Sequence, residues 1–132
     1  ILNEAGTVDW WRAITPNPPH HDGDRGARAG LRRCATVAEA MTEPATLVLF
    51  RRCGAEDPRD LVAVALAAAV LAHVREDRAE MAVARLVGPE SPDRPETALL
   101  KPLRFRRLLE AATADDCLIA FRRLVAIADG RL

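Results

Sequence analysis

Tyrosine is absent from this chain of 132 residues, and serine and lysine occur once each, as Ser91 and Lys101. There is no glycine-rich phosphate loop, no GxSxG, no HExxH and no Cys/His array. The usual signatures of nucleotide hydrolysis, acyl transfer and zinc chemistry are therefore missing, and nothing nominates a catalytic nucleophile or base. Cys34, Cys53 and Cys117 are odd in number and lack CxxC spacing, which predicts half-buried, reduced thiols in a cytoplasmic protein and no disulfide framework. Aromatic residues make up only 4% of the chain, so a core must be built from Ala, Leu and Val between close helices. The longest apolar run, Leu61 to Ala72, is too short to span a bilayer, and no membrane partner is expected. A formal net charge of zero argues against a general nucleic-acid glue. No cofactor is expected.

The charge that is present is unevenly placed. Residues 25–52 hold six arginines against two glutamates, and residues 101–123 hold six basic groups against three acidic ones. The acids gather instead in loops such as Glu56-Asp57, Glu76-Asp77 and Glu90 to Glu96. A local field can attract phosphate even when the whole molecule is neutral. An excess of arginine follows from GC-rich codons, and arginine's planar fork also grips phosphate better than lysine does. Position has to separate the two.

Length and pattern point to an all-α chain, a small helical bundle of about six helices forming one domain over 1–132, with sub-lobes 1–88 and 99–132 flanking a proline-rich loop at 88–98. Residues 4–14 can form the first helix; of its adjacent tryptophans, Trp10 and Trp11, one plugs the core and the other covers a neighbour, a partner or a nucleic-acid base. Prolines make Thr15 to Gly23 a loop. Its His20, His21 and Asp22, with Asp24 beyond, invite a metal reading, but the candidates lie in one run and not on separate rigid elements, so no metal site is assigned.

Asp24 suits the N-cap of the next helix, where Arg25, Arg28 and Arg32 recur at i, i+3 and i+7 beside Arg33, with Leu31, Cys34 and Ala35 turned away. Solvated faces usually mix signs; this one has no acid from 25 to 38, which favours phosphate contact. Thr36 to Glu39 reads as a capping box. Pro44 opens a helix expected to bury Leu47, Val48 and Phe50 and to end at Gly54, with Arg51-Arg52 suiting its dipole. The longest helix is expected over 58–75, apolar nearly all round and central to the bundle, with His73 a core or surface residue. Arg59 in its first turn, where the dipole prefers an acid, marks a phosphate seat. A modest helix over 78–87 follows.

From Leu100 to Ala128 the pattern gives two helices folded back on each other. Phe105, Leu108, Leu109 and Ala112 form an apolar stripe on the first, and Leu118, Phe121, Val125 and Ala128 the inward face of the second. Thr113 followed by Asp116 separates them as a cap. Lys101, Arg104 and Arg107 share another stripe, and Arg122 and Arg123 stand outside the second helix.

Taken together, Trp10-Trp11-Arg12, Gly23-Asp24-Arg25 leading to Leu31-Arg32-Arg33, Glu43-Pro44-Ala45 with Arg51 to Gly54, LRFRRLL and FRRLV resemble the CasB-type small subunit of the type I-E CRISPR Cascade complex. The resemblance implies an all-helical, non-catalytic protein of antiviral defence. It implies two copies along a crRNA-guided surveillance complex, beside its backbone, large and other subunits, helping to hold the R-loop of crRNA and target DNA. The basic contacts it implies fall on Arg32 or Arg33, Arg59, Arg104, Arg107, Arg122 and Arg123; charge pattern adds Arg28 and Lys101. Relatives continue past the position of Leu132 into further helices, so the resemblance leaves two alternatives: a compact or truncated version, or a tail that lies beyond the residues present here. The other readings are a helical protein-interaction module without nucleic-acid contact, and a metal-dependent hydrolase using the His20–Asp24 loop.

Overall fold

A computed structural model describes residues 3–78 and 82–132. Among these the chain forms eight α-helices and no strand, with only isolated bridges at Asn17–His21 and Glu76–Arg131. It divides into two compact units, Ile1–Ala72 and His73–Leu132. The proline-rich loop at 88–98 lies inside the second.

The first unit holds α1 (Glu4–Ile14), α2 (Arg25–Arg33), α3 (Val37–Met41), α4 (Pro44–Arg52), a 3₁₀ turn (Pro58–Asp60) and α5 (Leu61–Leu71). Local chemistry sets the starts. The Asn3 side chain accepts the Gly6 N–H, Asp24 accepts that of Ala27 at 3.0 Å, and Thr36 accepts that of Glu39 at 3.2 Å. The Glu39 carboxylate takes the Ala35 N–H at 3.0 Å, so the expected box closes one residue early. Pro44 sits in the first turn of α4, where its missing N–H leaves no bond unmade. Gly54, at φ 76°, ends that segment in the left-handed region.

Trp10, Ile14, Leu31, Leu49, Cys53 and Val64 pack into one cluster with Ala45, Ala68 and Ala72. Each large side chain there contributes roughly 1.5–3 kcal/mol. Trp10 is the tryptophan that plugs the core; its indole N–H donates to the Ala45 carbonyl at 2.9 Å, and Trp11 packs half-buried against the same cluster. Two expectations are corrected. α4 buries Ala45, Thr46 and Leu49, while Leu47 and Val48 are exposed and Phe50 is half-buried. Ala45, Leu49 and Cys53 recur every fourth residue, and the small Ala45 lets Trp10 reach the backbone. Close approach between α1 and α4 is also written into Gly6, where a Cβ would overlap the Arg52 carbonyl. The long helix at 58–75 is instead a 3₁₀ turn followed by α5, and α8 is longer. Beyond the end of α5, the N–H groups of Arg75 and Glu76 bond the Gly130 carbonyl, at 2.7 and 3.0 Å, and not carbonyls one helical turn back.

The second unit holds α6 (Val83–Val87), a 3₁₀ turn (Pro95–Thr97), α7 (Pro102–Leu109) and α8 (Ala114–Ile127). Only part of the helix expected over 78–87 is seen, and residues 79–81 lie outside the described ones. α7 and α8 pack against each other, and Thr113 caps α8 through the Asp116 N–H at 3.0 Å. Leu118, Leu124 and Val125 are the buried residues of α8. Phe121 of the expected inward face is exposed. α7 buries no residue, and Phe105, Leu109 and Ala112 of its expected core stripe lie exposed. Only Leu108 of that stripe is half-buried, because α8 covers one edge of the helix and leaves the rest. Arg75 fastens the C-terminal segment, donating to the Asp129 carbonyl at 2.7 Å and pairing with its carboxylate at 3.0 Å.

Candidate functional site

The basic side chains collect in two places, each within one unit. In the first, the Asp24 cap fixes the start of α2 while Gly30 and Leu31 turn inward. With that face committed, Arg25, Arg28, Arg32 and Arg33 line a cleft of about 400 Å³ together with Pro16 and Ala29. Arg28 is half-buried, and its Nε donates to the Ala72 carbonyl at the end of α5, 3.1 Å away. That carbonyl would otherwise be an unmet acceptor at the negative end of a helix dipole, a favourable place for a cation. Arg28 thus ties α2 to α5 as well as facing the cleft. Arg25, Arg32 and Arg33 are exposed.

In the second unit, Arg104 and Arg107 of α7 meet Arg123 of α8 along a narrow crevice of about 30 Å³ whose floor is Leu100, Leu108, Leu124 and Ile127. The i, i+3 spacing puts Arg104 and Arg107 on one edge of α7. Leucines beneath leave the guanidinium groups little choice but to sit above the apolar floor.

The remaining expected residues stand apart from these clusters. Arg59 is 92% exposed and lies 3.7 Å from the carboxylate of Asp57, so its charge is partly met at home. The Lys101 ammonium donates to the Glu96 carbonyl at 2.6 Å. Arg122 is half-buried and already engaged within the fold. Arg25 joins the cleft although it is not among the contacts that the family likeness implied; the helical spacing put it on that face.

Where the acids go is as informative. Ion pairs hold Arg59 to Asp57, Arg75 to Asp129, Arg94 to Glu90 and Glu96, and Arg131 to Glu76. Among the described residues, none of Arg25, Arg32, Arg33, Arg104, Arg107 and Arg123 has a carboxylate partner. A chain of zero net charge has enough acids to pair them all. Instead these six are left with open forks, as are Arg12, Arg51, Arg52, Arg85 and Arg106 elsewhere among the described residues. What sets the six apart is that they gather three to a cleft, the arrangement that suits bidentate contact with phosphate or carboxylate oxygens.

The His20–Asp24 loop is otherwise occupied. His21 Nδ1 accepts the Gly23 N–H at 3.0 Å, and the Asp24 carboxylate caps α2. Among the described residues no three potential ligands come together to hold a metal ion, and no helix is long and apolar enough to cross a membrane.

No curated protein and no solved structure matches this chain. A family model does, that of CRISPR-associated protein Cse2, over residues 27–132. The match takes in most of α2 and the whole of α7 and α8, and hence both arginine clusters except Arg25. Among the described residues the eight helices and the absence of strands agree with the helical architecture expected from the motif likeness. On this footing the chain belongs to the CRISPR-associated protein Cse2 family, which makes it a subunit of a type I-E CRISPR Cascade complex.

Proposed function

We propose that this protein is a non-catalytic backbone-gripping subunit that steadies the R-loop of a crRNA-guided complex through arginine–phosphate contacts. The observation that carries the reading is the gathering of arginines that lack an ion pair among the described residues. Arg25, Arg32 and Arg33 share the α2 cleft, and Arg104, Arg107 and Arg123 share the α7–α8 crevice, while Arg12, Arg51, Arg52, Arg85 and Arg106, also without an ion pair, line neither. In such a particle, base pairing between guide and target supplies the sequence, so the protein need only hold phosphates. Arginine forks do this without reading base edges. Its companions in this role are crRNA and target DNA, the backbone and large subunits, and a second copy of itself. With no net charge, the isolated chain binds weakly; partner subunits extend the positive track.

The test is charge reversal within the assembled complex. Arg107→Glu or Arg123→Glu shortens R-loop lifetime by a similar factor on unrelated target sequences, and the loss grows as salt is lowered toward conditions where phosphate contacts dominate. Variants that discriminate between sequences, or that lose nothing, contradict it. Cross-links from both clusters to protein only, never to RNA or DNA, would favour the protein-interaction module.

A further inference from the structure

The second unit contains a pocket that backbone gripping does not use. It lies between α6, the proline-rich loop and α7, holds about 310 Å³, and is walled by Ala84, Val87, Pro89, Pro95, Pro102 and Phe105. None of its lining side chains is polar. Its volume sits at the low end of small-ligand sites, which run from ~300 to ~1,000 Å³. Phe105, 49% exposed, presents an unsatisfied ring at its edge. Arg104 and Arg106 flank Phe105 in α7, outside the pocket lining; both are exposed and without a carboxylate partner among the described residues, while Arg107 lies further round the helix, in the α7–α8 crevice.

We propose that this pocket seats one unstacked nucleobase of a single strand whose phosphates rest on the arginines of α7. The proposal rests on the backbone-gripping reading and adds a base site to it. Charge complementarity chooses the occupant. A second copy of the chain would bring the same arginines against these, a like-charge contact. A small neutral apolar ligand would make no use of them. A nucleotide carries both matching parts within a single bond network: a flat ring for Phe105 and the proline rings, and a phosphate for the guanidinium groups. Aromatic platforms beside basic tracks hold single strands in this way, and they tolerate any sequence because every base has a π-face. With no hydrogen-bonding side chain in the pocket, base identity goes unread.

The experiment titrates the full chain with a single-stranded oligonucleotide carrying 2-aminopurine and with an abasic strand of equal length, each over a range of salt. The expected result is quenching of the 2-aminopurine and tighter binding of the base-bearing strand by roughly 5- to 150-fold. Phe105→Ala abolishes the quenching and the preference and leaves the salt slope unchanged; Phe105→Trp keeps both. Because Phe105 is half in solvent, its loss leaves the fold intact. Equal binding of the two strands with a normal salt slope overturns the base site and leaves backbone gripping standing. Binding of neither strand overturns the base site, while backbone gripping is judged separately, by charge reversal in the assembled complex. If Phe105→Ala changes only incorporation into the complex, the pocket is a protein-docking surface and the proposal is wrong.

Discussion

α2 and α7 both set arginines at i and i+3 beside leucines, yet α2 buries Gly30 and Leu31 while α7 buries nothing. α2 is capped by Asp24, packs Leu31 into the core of its unit, and is tied by Arg28 to the end of α5. α7 opens on Pro102 without a side-chain cap and is covered by α8 along one edge only. The apolar half of α2 is therefore structural, and its arginines project from a fixed helix. The apolar half of α7 faces outward together with its arginines, so that helix offers two kinds of contact at once. The same periodic signal marks a core element in one unit and a presented edge in the other.

Matched truncations separate the two helices most sharply. Leu31→Ala removes a side chain with no exposure and leaves a cavity in the first unit. It is expected to lower stability by about 2–5 kcal/mol in urea unfolding; a loss below about 1 kcal/mol would mean that α2 is not held by that core. The cap comes next. Asp24→Ala frees the Ala27 N–H and costs about 1 kcal/mol, and Asp24→Asn recovers most of it, since the amide oxygen can still accept. At the small end is Leu109→Ala on α7. With 70% of this residue exposed, the change stays within about 0.5 kcal/mol. A loss as large as that of Leu31→Ala would show that α7 is packed and would erase the contrast.

Much of this was legible in the residues, and the division follows the range of the interactions. The first helix is found over Glu4–Ile14 as its pattern predicts, and Asp24, Thr36, Pro44 and Thr113 mark starts as expected. Caps and prolines act within four residues, so the chain itself states them. Which stripe meets a neighbour is a tertiary matter. Leu47 and Val48 are as apolar as Leu49, yet Ala45 and Leu49 face the core, because the small Ala45 and Gly6 let α1 and α4 approach. Phe105 and Leu109 had a sound helical period but no helix opposite. That Arg75 and Glu76 would bond the Gly130 carbonyl, roughly 55 residues further on, is a long-range pairing that no local pattern encodes.

The same reasoning applies to the candidate site. The spacing of Arg25, Arg28, Arg32 and Arg33 predicted a shared face, and they share a cleft. That Arg123 would join Arg104 and Arg107 required the hairpin to close. That Arg59 would meet Asp57, and Lys101 the Glu96 carbonyl, was hidden because helix-start geometry alone does not say which nearby acceptor a long side chain finds.

The most direct test of the central claim, that open arginines rather than paired ones grip phosphate, is the salt dependence of R-loop formation by the assembled complex. One variant carries Arg104→Ala, Arg107→Ala and Arg123→Ala together; its control is Arg59→Ala, which removes an arginine that already has an acid beside it. The account predicts that the triple variant makes the slope of log K against log salt shallower by about 2–3, near one counterion per lost contact, while Arg59→Ala leaves it within about 0.5. Equal slopes for the two variants would contradict it.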